Sequence, residues 1–151
     1  MIAVALVLVS CSKSAPAVKM KWLSLDPLPL EVEVPDYASV GQHRESPDRD
    51  APPGMLISAR ACVVVVMPGT RGPLDEQQTE VKAEHPDAKI VGLTSESFEY
   101  SYKGADGAAL RSFRSERRIA DAIYRCEPFT GHADIACERR ACASLRARAG
   151  P

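Results

Sequence analysis

The chain has 151 residues, with 19 Lys and Arg against 20 Asp and Glu and hydrophobic side chains at 45%. That length supports one domain with its own core, and not two comfortable ones. A formal charge of −1 lacks the concentrated basic face of a nucleic-acid binder, so nucleic acid is not an expected partner. The charge is mildly split, since residues 1–103 carry 10 basic and 14 acidic side chains (−4) and residues 104–151 carry 9 and 6 (+3).

The chain opens on an apolar run, Ile2 to Val9, that ends at Ser10-Cys11. Such a run is far short of the roughly 20 residues of a membrane-spanning helix but suits the hydrophobic region of a signal peptide. Leu8-Val9-Ser10-Cys11 resembles a bacterial lipobox, although no Lys or Arg precedes it. The resemblance implies removal of residues 1–10 and acylation of Cys11, with residues 11–21 as a tether and residues 22–147 as a single domain. Several acyl chains at about 0.8 kcal/mol per buried methylene would make that anchor effectively permanent. Ser12, a non-Asp residue after the cysteine, implies the periplasmic side of the outer membrane. The bland alternative is a buried N-terminal strand.

Downstream, Leu28-Pro-Leu-Glu-Val-Glu-Val-Pro35 alternates, which puts Leu28, Leu30, Val32 and Val34 on one face of a half-buried strand and Glu31 and Glu33 on the other. Residues 44–54 combine charge with three prolines and predict an exposed, mobile loop. From Met55 to Met67 the chain is its most apolar, with Arg60 marking a break between strands at 55–58 and 61–67; the second is apolar throughout and predicts a central position in a sheet. Pro73 to Glu84 predicts a helix with proline in its first turn and a thin stripe of Leu74, Gln78 or Thr79, and Val81. Strand-length segments follow at 89–94, 97–102, 109–119 and 123–127, the pattern of an antiparallel meander. A last helix is expected from a Thr130 cap to about Arg146, with Ile135, Cys142 and Leu145 on its inner face. The order defines an α+β chain, a mainly antiparallel sheet covered by helices.

Taking Cys11 for lipid leaves Cys62, Cys126, Cys137 and Cys142, and in an oxidising compartment four cysteines permit two disulfides with three connectivities. A zinc site built on Cys126, His132, Cys137 and Cys142 has the wrong spacing for the common modules, so no metal is expected. His132 and Asp134 near a serine lack a nucleophile elbow, and no cofactor motif stands out. Glu31 and Glu33 are explained as the wet face of their strand rather than as a glycosidase pair.

Four segments together are similar to small bacterial lipoproteins with a PsbP/Mog/DcrB-like domain. They are Leu30-Glu-Val-Glu-Val-Pro35 with the glycine-containing loop after it, the helix from Pro73, the strand Ile123-Tyr-Arg-Cys126 and the closing Ala141-Cys-Ala-Ser-Leu-Arg146. The resemblance spans residues 22–146 and implies an α/β/α-like sandwich used for binding or assembly, with no enzymatic site to carry over. It also pairs Cys126 with Cys142, a short loop for which chain entropy predicts about 3 kcal/mol. Cys137, rotated about 140° from Cys142 around an ideal helix, then either bridges Cys62 or stays a free thiol.

Arg111, Arg114, Arg117, Arg118 and Arg125 give neighbouring strands a basic character, and form the candidate surface for an anionic lipid or an acidic protein partner. The bland account is that they keep a strand edge soluble. Two rival functions remain: a thiol-active enzyme or hydrolase using Cys137 and His132, which needs a free thiol near a helix N-terminus, and a purely structural lipoprotein.

Overall fold

The computed structural model describes residues 18–44 and 53–149, so Cys11, the lipobox and most of the expected 44–54 loop lie outside the described residues. Among the described residues twelve elements follow one another: β1 (Met20–Ser24), β2 (Leu30–Pro35), β3 (Ser39–His43), β4 (Gly54–Ala59), β5 (Cys62–Pro68), α1 (Leu74–Glu84), β6 (Lys89–Leu93), β7 (Ser97–Lys103), β8 (Ala109–Ile119), β9 (Ala122–Pro128), α2 (Ala136–Ser144) and β10 (Arg146–Ala147).

Seven strands form one antiparallel sheet in the order β3-β4-β5-β9-β8-β7-β6, and β1-β2-β10 form a second. After β5 the chain crosses through α1 to the far edge of the large sheet and returns strand by strand until β9 closes against β5. β5 is therefore interior, as its apolar run requires, with Val64, Val65, Val66 and Met67 all buried. The fold is α+β, with two helices against mainly antiparallel strands.

Two cores result from the two faces of the large sheet. On one face, Leu30, Val32 and Val34 of the small sheet and Ile135, Ala141, Cys142 and Leu145 around α2 pack on Ile57, Val64, Val66, Phe113 and Tyr124. On the other, Val81 of α1 packs on Phe98 and Tyr100, with Leu74, Ile90 and Tyr102 at the edge. The layers are thus α1, the large sheet, and a third layer shared by α2 and the small sheet.

Several expectations need correction. Met20 and Lys21, placed in the tether, belong to β1, because β2 offers them a pairing partner: Met20 lies opposite Pro35 and Lys21 opposite Val34. The buried stripe of α1 runs through Gln77 and Val81, one turn apart, while Thr79 turns back to the Asp75 carbonyl at 2.9 Å. Thr130 does not cap α2. Instead His132 exchanges backbone hydrogen bonds with Arg111 at 2.7 and 3.0 Å, so the chain stays extended and the helix waits until Ala136. There the Asp134 carboxylate accepts the Ala136 N–H at 2.9 Å. Arg146 falls outside the helix, in β10 opposite Glu31.

Candidate binding cleft

The structure joins Cys62 to Cys137 and Cys126 to Cys142, fixing α2 at its first turn to β5 and near its last turn to β9. The late start of the helix is what lets both cysteines reach the sheet: Cys137 sits at the helix end, beside the start of β5, rather than on the far side of a long helix. A third clamp is electrostatic. α2 has no basic residue in its last turn, and Arg117 of β8 supplies the missing cation, one guanidinium nitrogen donating to the carbonyls of Cys142, Ala143 and Leu145 at 3.1, 2.7 and 3.1 Å. Those carbonyls are the unpaired, partly negative end of the helix, so a cation is favoured there.

Between this fixed helix and the β6–β7 hairpin lies a cleft of about 620 Å³, within the usual range for a small-ligand site. Phe113 and Ser115 form its floor, Arg139, Cys142 and Ala143 one wall, and Gly92 to Thr94 the other. The hairpin wall is held by the Thr94 hydroxyl, which accepts the N–H groups of Glu96 and Ser97 at 3.2 and 3.0 Å. Glu99, also lining the cleft, is bonded by Arg139 at 2.9 Å from α2 and by Arg111 from the neighbouring strand. Leu93 is the most exposed apolar side chain in the wall.

The five arginines expected to form one surface are divided by strand alternation. Arg111 and Arg117 lie on the α2 face of the sheet and serve Glu99 and the helix end. Arg114 and Arg118 lie on the α1 face, with Arg125 paired opposite Glu116 on that same side. Arg114 is buried under α1, where it binds Glu80 at 2.9 Å and Glu84 at 3.4 Å and approaches Glu127 at 3.9 Å. Glu116 accepts from the Arg71 N–H at 2.7 Å and from the Gln77 amide at 3.1 Å, so the acids of β8 and β9 hold the 68–73 loop and α1 onto the sheet.

The histidines stay apart. His43 meets the Phe129 ring edge-on at 5.6 Å, and His85 stacks on Tyr102 at 3.9 Å beside Tyr100. Burial pushes the Tyr100 phenol above its ordinary 10.0, against the downward pull of its Ser112 hydrogen bond and the Arg114 charge. His132 Nε2 lies 3.2 Å from the Thr130 hydroxyl and 3.7 Å from the Glu138 carboxylate. Glu138 is 1% exposed, and neither of its oxygens has a hydrogen-bond partner among the described residues. Its place in the apolar stripe was readable, since it follows Ile135 by three residues and precedes Cys142 by four.

Among the described residues no group of three or more His, Cys, Asp or Glu is arranged to hold a metal ion, and the cysteines of the zinc reading are committed to disulfides. No described helix is long and apolar enough to cross a membrane. What fold and cleft define is a disulfide-bonded α+β domain with an open groove. Comparison with protein-family models, curated proteins and solved structures finds no match.

Proposed function

We propose that this chain is a lipid-anchored, noncatalytic binding or assembly module on the periplasmic side of a bacterial membrane, the outer membrane by virtue of Ser12. In this reading Cys11 carries the acyl chains, the domain is a PsbP/Mog-like α/β/α sandwich, and its partner or ligand seats in the cleft beside α2. The observation that carries it is the prepared groove: one wall is fixed by two disulfides and the Arg117 clamp, and the opposite wall ends in the exposed Leu93. A wall that does not have to be ordered on binding lowers the entropic cost of capture. The thiol-enzyme alternative loses support because the Cys137 sulfur is bonded to Cys62.

The test places a photo-crosslinking residue at Leu93 or Ala143, with Lys82 on α1 as control, in cells making the full chain. Discrete adducts at the two cleft positions and none at Lys82 are expected. The same adduct pattern at all three sites, or none at any, refutes the cleft. Metabolic labelling with an alkyne fatty acid tests the anchor, since a Cys11→Ala chain should lose the label and leave the membrane fraction.

A further inference from the structure

Three of the six most exposed large apolar side chains stand within the first twenty described residues: Val18 at 56%, Trp22 at 42% and Tyr37 at 45%. They are spread along β1 and the turn after its partner strand. Met20 pairs with Pro35 and the Asp36 N–H donates to the Lys19 carbonyl at 2.9 Å, which brings Val18 beside the turn that carries Tyr37. Trp22 lies two residues beyond Met20 along β1, on the outer face of the small sheet, since the next residue, Leu23, turns into the core. Each ring is covered by a cation: the Arg146 guanidinium sits 3.4 Å from the Trp22 ring centre and the Arg60 guanidinium 4.7 Å from that of Tyr37.

We infer that this aromatic and arginine face rests on the bilayer that holds the acylated Cys11. The inference builds on the lipid-anchor reading above. Trp and Tyr prefer the headgroup layer, where an apolar ring and a polar edge are both satisfied, and arginines above the rings meet lipid phosphates. Chain length then selects the bilayer as occupant. Cys11 to Val18 is seven peptide steps, at most about 25 Å fully extended. The face at the root of that tether is therefore the part of the domain held nearest the lipid. Charge does not oppose contact: Lys19 and Lys21 alternate away from the Trp22 side, and on it Arg60 and Arg146 stand against Glu31 and Glu33, with Arg146 already neutralising Glu31 at 2.6 Å. A weak surface suffices, because a short tether keeps its effective concentration at about the millimolar level.

Trp22 is the only tryptophan in the chain and reports on the contact directly. The acylated full chain is reconstituted in phosphatidylcholine and phosphatidylglycerol vesicles, with and without brominated acyl chains, and compared with the soluble Cys11→Ala chain. Expected are a blue-shifted Trp22 emission in vesicles and at least a two-fold loss of intensity with brominated lipid. Tyr37→Asp, at an exposed turn, should reduce that loss. Equal emission from brominated and plain vesicles overturns the inference while leaving the anchor standing. Trp22 shielded from aqueous iodide but untouched by brominated lipid gives the face to a protein, and also overturns it. An intact mass without acyl chains on Cys11 refutes the anchor itself and removes the bilayer from reach.

Discussion

Replacing Glu138 by glutamine should make the protein more stable. The carboxylate is 1% exposed and both oxygens lack a hydrogen-bond partner among the described residues. The His132 ring approaches it only to 3.7 Å at Nε2, beyond the reach of an N–H···O bond. A buried polar group without a partner costs about 1–3 kcal/mol, and more when it is charged. The amide keeps the shape of the side chain and removes the charge, so Glu138→Gln should gain about 1–2 kcal/mol at neutral pH. At about 2–4 °C per kcal/mol for a domain of this size, Tm should rise by roughly 2–8 °C. His132→Ala should destabilise the native chain, because it removes the polar ring that stands 3.7 Å from the carboxylate, yet be nearly silent beside Glu138→Gln. Urea melts of the four proteins in that cycle, with unchanged slopes, measure both the gain and the coupling. A loss of more than about 1 kcal/mol in Glu138→Gln would refute the reasoning, because it would mean that the carboxylate is solvated by buried water or paired in a way that the amide cannot reproduce.

Chain entropy ranks the two disulfides. The Cys62–Cys137 bond closes 75 residues and the Cys126–Cys142 bond 16, worth about 4–5 and about 3 kcal/mol respectively. Calorimetry should therefore find Cys62→Ala/Cys137→Ala less stable than Cys126→Ala/Cys142→Ala; the opposite order would show native-state strain to dominate. The Tyr100 phenol is held neutral by burial above its ordinary 10.0, so the folded chain binds more protons than the unfolded one at higher pH. The stability this contributes is complete below about pH 10 and lost as pH rises, and Tyr100→Phe should flatten that alkaline loss. Ala120, at φ 52 in the two-residue β8–β9 turn, is left-handed; Ala120→Gly should stabilise by about 1 kcal/mol in the same melts. Gly54→Ala should destabilise, because the added Cβ would meet the Val66 carbonyl oxygen at 2.9 Å and crowd Met67.

How legible these features were depended on whether a residue's role was local. The alternation of Leu30 to Val34 and the unbroken apolar run from Cys62 to Met67 are burial written directly into order, and both became strands where expected. Arg60 read as a break because a long cation cannot sit between two covered faces; it occupies the hairpin turn at φ 54. The missed strands have no such pattern. Met20–Ser24 and Ser39–His43 are mixed in polarity because each lies at the edge of its sheet, where pairing rather than burial defines the strand. Arg146 and Ala147 are strand only because β2 passes beside them. The cleft was the least legible part. Gly92, Phe113 and Arg139 come from two strands and a helix, and nothing in their separate neighbourhoods shows that the chain's crossover through α1 will bring the β6–β7 hairpin opposite α2.

The same distinction explains what became of the arginines. A strand presents alternate residues to opposite faces, so Arg111 and Arg117 could not share a surface with Arg114 and Arg118 once both sides of β8 were covered. Each face then imposed its own use. Under α1, a buried guanidinium with five fixed donors can satisfy several acids at once, and Arg114 meets Glu80, Glu84 and Glu127 where lysine could not span them. Beside α2, Arg117 closes a helix that carries no cation of its own. Positive charge that looks like a docking surface in one dimension is thus partly internal glue in three: Arg114 and Arg117 are engaged inside the fold, Arg118 stays exposed, and Arg146, Arg60 and Arg139 stand over Trp22, over Tyr37 and along the cleft. A partner that recognises this protein by charge should therefore be sensitive to Arg60, Arg139 and Arg146, whereas changes at Arg114 should act through stability alone.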